Sequence, residues 1–133
     1  MSDDAPRFLI AVVDDDRRIL DSLRSLLESA DYDVREFESA EEFLESGCLP
    51  QIDCLISDIG MARMDGYELT RTIHGVRPQL PVVLVTGRPD LLSHSPGSGI
   101  GRYRAFLKPF DGQTLLEAVS DALGNIPRQR KRS

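Results

Sequence analysis

Short apolar runs recur along this chain, each closed by a polar residue and followed by a stretch of helical spacing. The clearest are Phe8-Leu-Ile-Ala-Val-Val13, Asp53-Cys-Leu-Ile-Ser57 and Pro81-Val-Val-Leu-Val85. A continuous apolar run of strand length suits a strand covered on both faces. Two covered faces require helices above and below the sheet. The stretches between the runs supply them. Ile19, Leu20, Leu23, Leu26, Leu27 and Ala30 share one face at a period of 3.6. Residues 32–37 alternate and read as a strand with one face more exposed. Ser39-Ala-Glu-Glu42 has the spacing of a capping box and opens a helix to about Ser46, closed by Gly47 and Pro50.

The third strand is expected over residues 53–57 and a loop over 58–65. Asp65 is placed to cap a third helix, in which Leu69, Ile73 and Val76 keep helical spacing before Gly75 and Pro78. The fourth strand runs over 81–85, with proline at its tolerated first position. The next helix is poor. Asp90-Leu-Leu-Ser starts one, but Pro96, Gly97, Gly99 and Gly101 break it. A short or frayed helix is expected, with mobility or a non-helical path from Asp90 to Arg102 and a mobile loop from about Ser95. Residues 103–107 read as the last strand. Asp111 caps a final helix carrying Leu115, Leu116, Val119, Ala122 and Leu123 on one face, ended by Gly124.

Five βα units call for one α/β domain, a five-stranded parallel sheet with helices on both faces. The usual layout is the doubly wound, flavodoxin-like order 2-1-3-4-5, with the fourth helix short or disordered. It binds ligands at the C-terminal strand ends, beside the switch point between strands 1 and 3. At 133 residues the chain holds one domain. That domain is expected over 7–125, with residues 1–6 disordered and 126–133 a basic tail or the start of a linker.

Four of the 16 basic residues lie in the last six positions, leaving 12 against 22 acidic residues in the body, about −10. Such a body argues against direct nucleic-acid binding. The tail is able to touch nucleic acid or an acidic partner, though a solvated end is the ordinary reading. No run is long enough to span a membrane, and Met1-Ser-Asp-Asp-Ala-Pro lacks the pattern of a signal peptide. A cytoplasmic location is the default expectation. Cys48 and Cys54 fit neither a zinc nor a redox pattern. Cys54 reads as a core residue and Cys48 as a loop residue with a free thiol.

The expected layout gathers Asp14, Asp15 and Asp16 after strand 1, Asp58 after strand 3, Thr86 after strand 4 and Lys108 after strand 5. Crowded carboxylates disfavour one another's ionisation. A divalent cation resolves that conflict, and hard oxygen donors suit Mg²⁺ best. A carboxylate so held can attack phosphorus and become an aspartyl phosphate. Thr86 and Lys108 would supply the remaining contacts to the phosphoryl group. Singly, each residue has an ordinary reading as a cap, a strand end or a surface charge. Together, on one edge in this order, they point to a site centred on Asp58.

The motifs Val12-Val-Asp-Asp-Asp16, Ser57-Asp-Ile-Gly-Met-Ala-Arg-Met-Asp-Gly66, Leu84-Val-Thr-Gly87 and Lys108-Pro-Phe110 resemble those of two-component response regulator receiver domains, of the chemotaxis and FixJ/LuxR types. Phe37-Glu-Ser-Ala-Glu-Glu-Phe-Leu44 is most similar to the FixJ-type subgroup, whose receivers usually precede a helix-turn-helix domain. The resemblance implies a phosphorylation-dependent switch that takes its phosphoryl group from a sensor histidine kinase. Asp58 would be the phosphoacceptor, and Asp15 and the Gly60 carbonyl Mg²⁺ ligands with Asp58. Asp14 would bind the ion through water, and Thr86 and Lys108 would bind the phosphoryl group. Asp16 is left as a helix cap. Beyond accepting and hydrolysing its own phosphoryl group, such a domain is not an enzyme. Its partners would be a downstream output domain or protein that regulates transcription, with a homodimer through strand 5 and helix 5 left open.

Three departures qualify the resemblance. Ala62 replaces the usual proline and loosens the loop. Gly60 lacks the usual side chain, which is expected to leave room beside the phosphoryl group, partly covered by Arg88. Ala105 stands where a switching aromatic is usual. Either a one-residue slip brings Phe106 or Tyr103 into that role, or the aromatic coupling is missing. A phosphorylation-independent interaction module is therefore the alternative reading. A related hydrolase would need a second acid where Gly60 stands, and flavin binding would need a phosphate cradle after strand 1.

Overall fold

A computed structural model describes residues 7–92 and 103–124. The elements are β1 (Leu9–Val13), α1 (Arg17–Ser29), β2 (Asp33–Phe37), α2 (Ala40–Ser46), a 3-10 turn (Leu49–Gln51), β3 (Cys54–Asp58), α3 (Gly66–His74), β4 (Val82–Thr86), α4 (Pro89–Leu92), β5 (Tyr103–Leu107) and α5 (Gly112–Gly124). The strands form one parallel sheet in the order β2-β1-β3-β4-β5. This is the doubly wound layout that the alternation predicts.

The period of two along each strand divides the apolar interior into two clusters. Ala11, Val13, Leu55 and Leu84 face Phe43 of α2 and Leu69 and Ile73 of α3. Ile10, Val12, Ile56, Val83 and Val85 face Leu20, Leu23 and Leu27 of α1 and Leu115, Val119 and Leu123 of α5. β3 and β4 are buried at every residue, which is why their sequences run without alternation. Each such aliphatic side chain contributes about 1.5–3 kcal/mol on leaving water.

The caps follow the sequence with one change. Asp16 accepts from the Arg18 amide, and Asp65 and Glu68 form a reciprocal capping box. Asp111 accepts from the Thr114 amide at 3.0 Å. Ser39 accepts from the Glu42 amide, but the Glu42 carboxylate takes the Glu38 amide, so that box closes one residue upstream.

Three expectations need correction. α3 ends at His74, and Val76 falls beyond its last turn, 68% exposed. Cys48 lies between α2 and the 3-10 turn with a free thiol, as expected, and its side chain is buried. β4 reaches Thr86, one residue past the expected end. β3 begins at Cys54, because Asp53 turns its carboxylate to the start of β1 and accepts the Leu9 amide at 2.8 Å. The Asp53 amide answers with a 2.7 Å bond to the Leu9 carbonyl. Asp53→Ala is expected to lower stability by about 1–3 kcal/mol, the cost of stranding a partly buried donor, as read by urea denaturation.

α4 is a single turn of four residues, in keeping with the short helix expected there. The mobility expected toward Arg102, the disordered N-terminus and the basic tail fall largely or wholly outside the described residues. Among the described residues no helix is long and apolar enough to cross a membrane.

Candidate functional site

Strand register brings the site together. Val13 pairs with Ser57, Asp58 with Val85 and Thr86 with Leu107, so the polar residues that end these strands share one edge. The ladder continues past the strands. The Ile59 amide donates to the Val85 carbonyl at 2.8 Å, and the Lys108 amide to the Thr86 carbonyl at 2.7 Å.

Lys108 stands at the centre. Its Nζ lies 2.9 Å from Asp14 Oδ2 and 3.2 Å from Asp58 Oδ1. The other Asp14 oxygen accepts the Asp16 amide at 2.9 Å. Asp15 is exposed, yet carboxylate oxygens of Asp14, Asp15 and Asp58 lie within 4.8 Å of one another. Thr86 is buried, and its Oγ1 accepts the Arg88 amide at 3.1 Å.

The charges fit this crowding. Burial pushes the Asp58 carboxyl above its ordinary value, the Asp14 charge adds to the rise, and Lys108 opposes both. Burial also raises Asp14, outweighing its hydrogen bonds from Lys108 and the Asp16 amide. For Lys108, burial alone would lower the ammonium; the bond to Asp14 and the charges of both aspartates outweigh it and hold the group raised. One cation thus serves two acids while a third, Asp15, stands beside them. The donor set is all oxygen, at least three carboxylates with one exposed, and fits a small hard divalent cation.

Asp14, Asp15, Asp58 and Lys108 converge as the sequence predicts, with Thr86 on the same edge. Asp16 caps α1, as expected. Gly60 differs from expectation. A Cβ built there would lie 3.0 Å from Leu91 Cδ1 of α4, which was not foreseen, and 4.0 Å from Arg88 Cδ, the residue expected to cover part of this space. The loop after Asp58 is tied as well as loosened: the Met61 and Gly66 amides both donate to the Ile59 carbonyl, and Glu41 of α2 accepts the Met64 amide at 3.3 Å.

The question at Ala105 is resolved for Phe106. Ala105 pairs with Leu84 and is exposed; Phe106 pairs with Val85 and packs into the α1/α5 cluster, on the opposite face. No one-residue slip brings Phe106 to the site. The Tyr103 side chain lies outside the described residues. Sequence reasoning missed Tyr67, whose hydroxyl donates to the Leu91 carbonyl at 2.8 Å. A tyrosine opening α3 gives a sequence signal only once α4 is known to lie across from it.

A doubly wound sheet with an acid-rich crevice at its switch point, bridged by a lysine from the last strand, defines a narrow class of signalling domain. The chain belongs to the response regulator receiver domain family, whose family model matches residues 10–120. It is 34% identical to the response regulator protein TodT of Pseudomonas putida over 130 residues, covering 98% of this chain and 56% of TodT. It is 32% identical to the transcriptional regulatory protein FixJ of Bradyrhizobium diazoefficiens over 116 residues, covering 86% and 56%. The chain therefore spans just over half the length of these curated relatives. Among solved structures, it is similar to a CheY-like receiver domain protein from Methanospirillum hungatei, with a TM-score of 0.79, 29% identity and coverage of 96% and 100%.

Proposed function

We propose that Asp58 accepts a phosphoryl group from a phosphohistidine on a sensor kinase, and that the resulting charge switches the domain's partner surface. The bridging of Asp14 and Asp58 by Lys108, with Asp15 exposed beside them, is the observation that carries this reading. Asp58 Oδ attacks phosphorus, the phosphorus–nitrogen bond breaks, and the departing imidazole nitrogen keeps the electron pair and takes up a proton. Asp15, Asp58 and the Gly60 carbonyl would hold Mg²⁺ directly and Asp14 through water, and the ion would supply positive charge against the phosphoryl oxygens. Lys108 favours the ionised acceptor beforehand, and its ammonium turns to the phosphoryl oxygens afterwards. The Thr86 hydroxyl, which accepts the Arg88 amide in the resting chain, turns to donate to a phosphoryl oxygen.

Phosphorylation adds about −1.5 to −2 charges and shifts an existing equilibrium. The domain is a switch rather than a turnover enzyme, its one hydrolytic act being loss of its own phosphoryl group. A kinase that presents its phosphohistidine in the cytoplasm would have this domain work there too. The relatives' greater length supports an output domain, or a separate partner, as the receiver of the signal. The exposed Ala105 favours a second reading, a phosphorylation-independent interaction module.

Incubation with Mg²⁺ and acetyl phosphate separates the two. The wild type is expected to gain a labile phosphoryl adduct in its intact mass, and Asp58→Asn none. A wild type that stays unmodified leaves the interaction module.

A further inference from the structure

A continuous set of contacts joins the two ends of the site through α4. From Thr86, Oγ1 accepts the Arg88 amide, and the Arg88 carbonyl accepts the Leu91 amide at 3.0 Å, closing the single turn of α4. The Leu91 side chain occupies the space that a Cβ on Gly60 would need, against the loop that follows Asp58. The Leu91 carbonyl accepts the Tyr67 hydroxyl. Tyr67 follows Gly66, whose backbone sits so close to the end of β3 that an added Cβ would lie 2.6 Å from the Asp58 carbonyl oxygen. The path therefore leaves Asp58 along β3, crosses to α3, passes to α4 through one hydroxyl, and returns to Thr86.

We propose that Tyr67 and Leu91 form a latch that ties α4 to the acceptor loop and conducts the state of Thr86 in the absence of an aromatic at position 105. The latch rests on the reading of Asp58 as phosphoacceptor. Several features favour it over a merely structural contact. Within the described residues α4 is the single turn Pro89–Leu92, held to Thr86 and to Tyr67 at its two ends. The Tyr67 ring is buried and therefore held, while Leu91 is half-buried and able to move. The two links from Thr86 to Leu91 are single hydrogen bonds. When the Thr86 hydroxyl turns toward a phosphoryl oxygen, the Arg88 amide loses its acceptor, the turn loosens, and Leu91 withdraws from Gly60. Phe106 cannot carry the same change, because it packs on the other face of the sheet. Tyr67 is a positioning residue in this scheme: it touches none of the reacting atoms.

The test is hydrogen exchange by mass spectrometry on the whole chain, read at the amides of Arg88, Asp90, Leu91 and Leu92, with and without acetyl phosphate and Mg²⁺. Asp58 occupancy is followed by intact mass. In the resting state, Tyr67→Phe is expected to speed exchange at these amides roughly five-fold, the effect of one lost hydrogen bond, with the urea midpoint little changed. Gly60→Ala is expected to speed the same amides by displacing Leu91. In the wild type, phosphorylation is expected to raise exchange at these amides, and in Tyr67→Phe that increment is expected to be lost. Unchanged resting exchange in both variants overturns the latch. A phosphorylated wild type with no increment, or an increment that survives in Tyr67→Phe, also overturns it. Failure of the wild type to form an adduct is a different result: it removes the phosphoacceptor reading and with it the signal the latch would conduct, whatever the resting contact does.

Discussion

Gly66→Ala lowers the folding stability by about 3 kcal/mol and the melting temperature by on the order of 10 °C. Helix propensity alone argues the other way, since alanine is worth about 1 kcal/mol more than glycine inside a helix. Steric contact decides. The new Cβ would lie 2.6 Å from the Asp58 carbonyl oxygen and 2.8 Å from Ile59 Cα, and both are backbone atoms that cannot rotate aside. The start of α3 would have to retreat, at the expense of the 2.8 Å bond from the Gly66 amide to the Ile59 carbonyl. Gly87→Ala is the control, because nothing lies within 4 Å of its Cβ position, and it leaves stability unchanged. Paired urea titrations of both variants check this. Equal midpoints would mean that α3 is free to slide on the end of β3. Where Gly66→Ala still folds, its rate of adduct formation falls too, since the acceptor's own backbone has moved.

Lys108→Met leaves Asp14 and Asp58 buried without their shared cation. In chelator-treated buffer at neutral pH the variant loses about 2–3 kcal/mol, somewhat below the cost of breaking a fully buried pair because the lysine retains some exposure. The pH dependence has a definite sign. Both carboxyls titrate above the ordinary 3.8 in the folded chain. Such groups favour the fold when protonated, so their contribution is fully present below 3.8 and is lost as the pH rises through the raised values. Lys108 limits that loss. The gap between variant and wild type therefore narrows as the pH falls toward 4, and Lys108→Met/Asp58→Asn recovers part of it at neutral pH. Urea midpoints across the pH range check both statements. Adduct formation from acetyl phosphate is expected to fall by roughly 10²-fold, the usual effect of removing one positioned charge. A variant that matches the wild type in both respects would mean that Lys108 neither pairs with nor assists Asp58.

The site was readable from sequence because Asp14, Asp58, Thr86 and Lys108 each end a strand or follow one directly. Parallel pairing then leaves one edge on which Asp14, Asp58, Thr86 and Lys108 can meet. The same logic placed Phe106 away from the crevice, since alternation along a strand fixes its face. Gly60 was misread for a physical reason. A missing side chain looks like a space in sequence, and only the path of α4 reveals that Leu91 fills it. Tyr67 was invisible in the same way, as its partner is a backbone carbonyl with no sequence signature. Asp53 was absorbed into β3 because a buried acid beside an apolar run gives no hint that its carboxylate closes the ladder of a neighbouring strand.

The sheet's separation of the interior into two clusters has a practical consequence for modifying the molecule. The α2/α3/α4 half and the α1/α5 half draw their strand residues from alternate positions, so neither borrows a side chain from the other. Each half can be treated as a replaceable panel on a fixed frame. Variation confined to Leu91, Ala105 and their surroundings would alter one panel while Phe106, Leu115 and Val119 keep theirs intact. A domain organised in this way can acquire a new listener on one side without retuning the other.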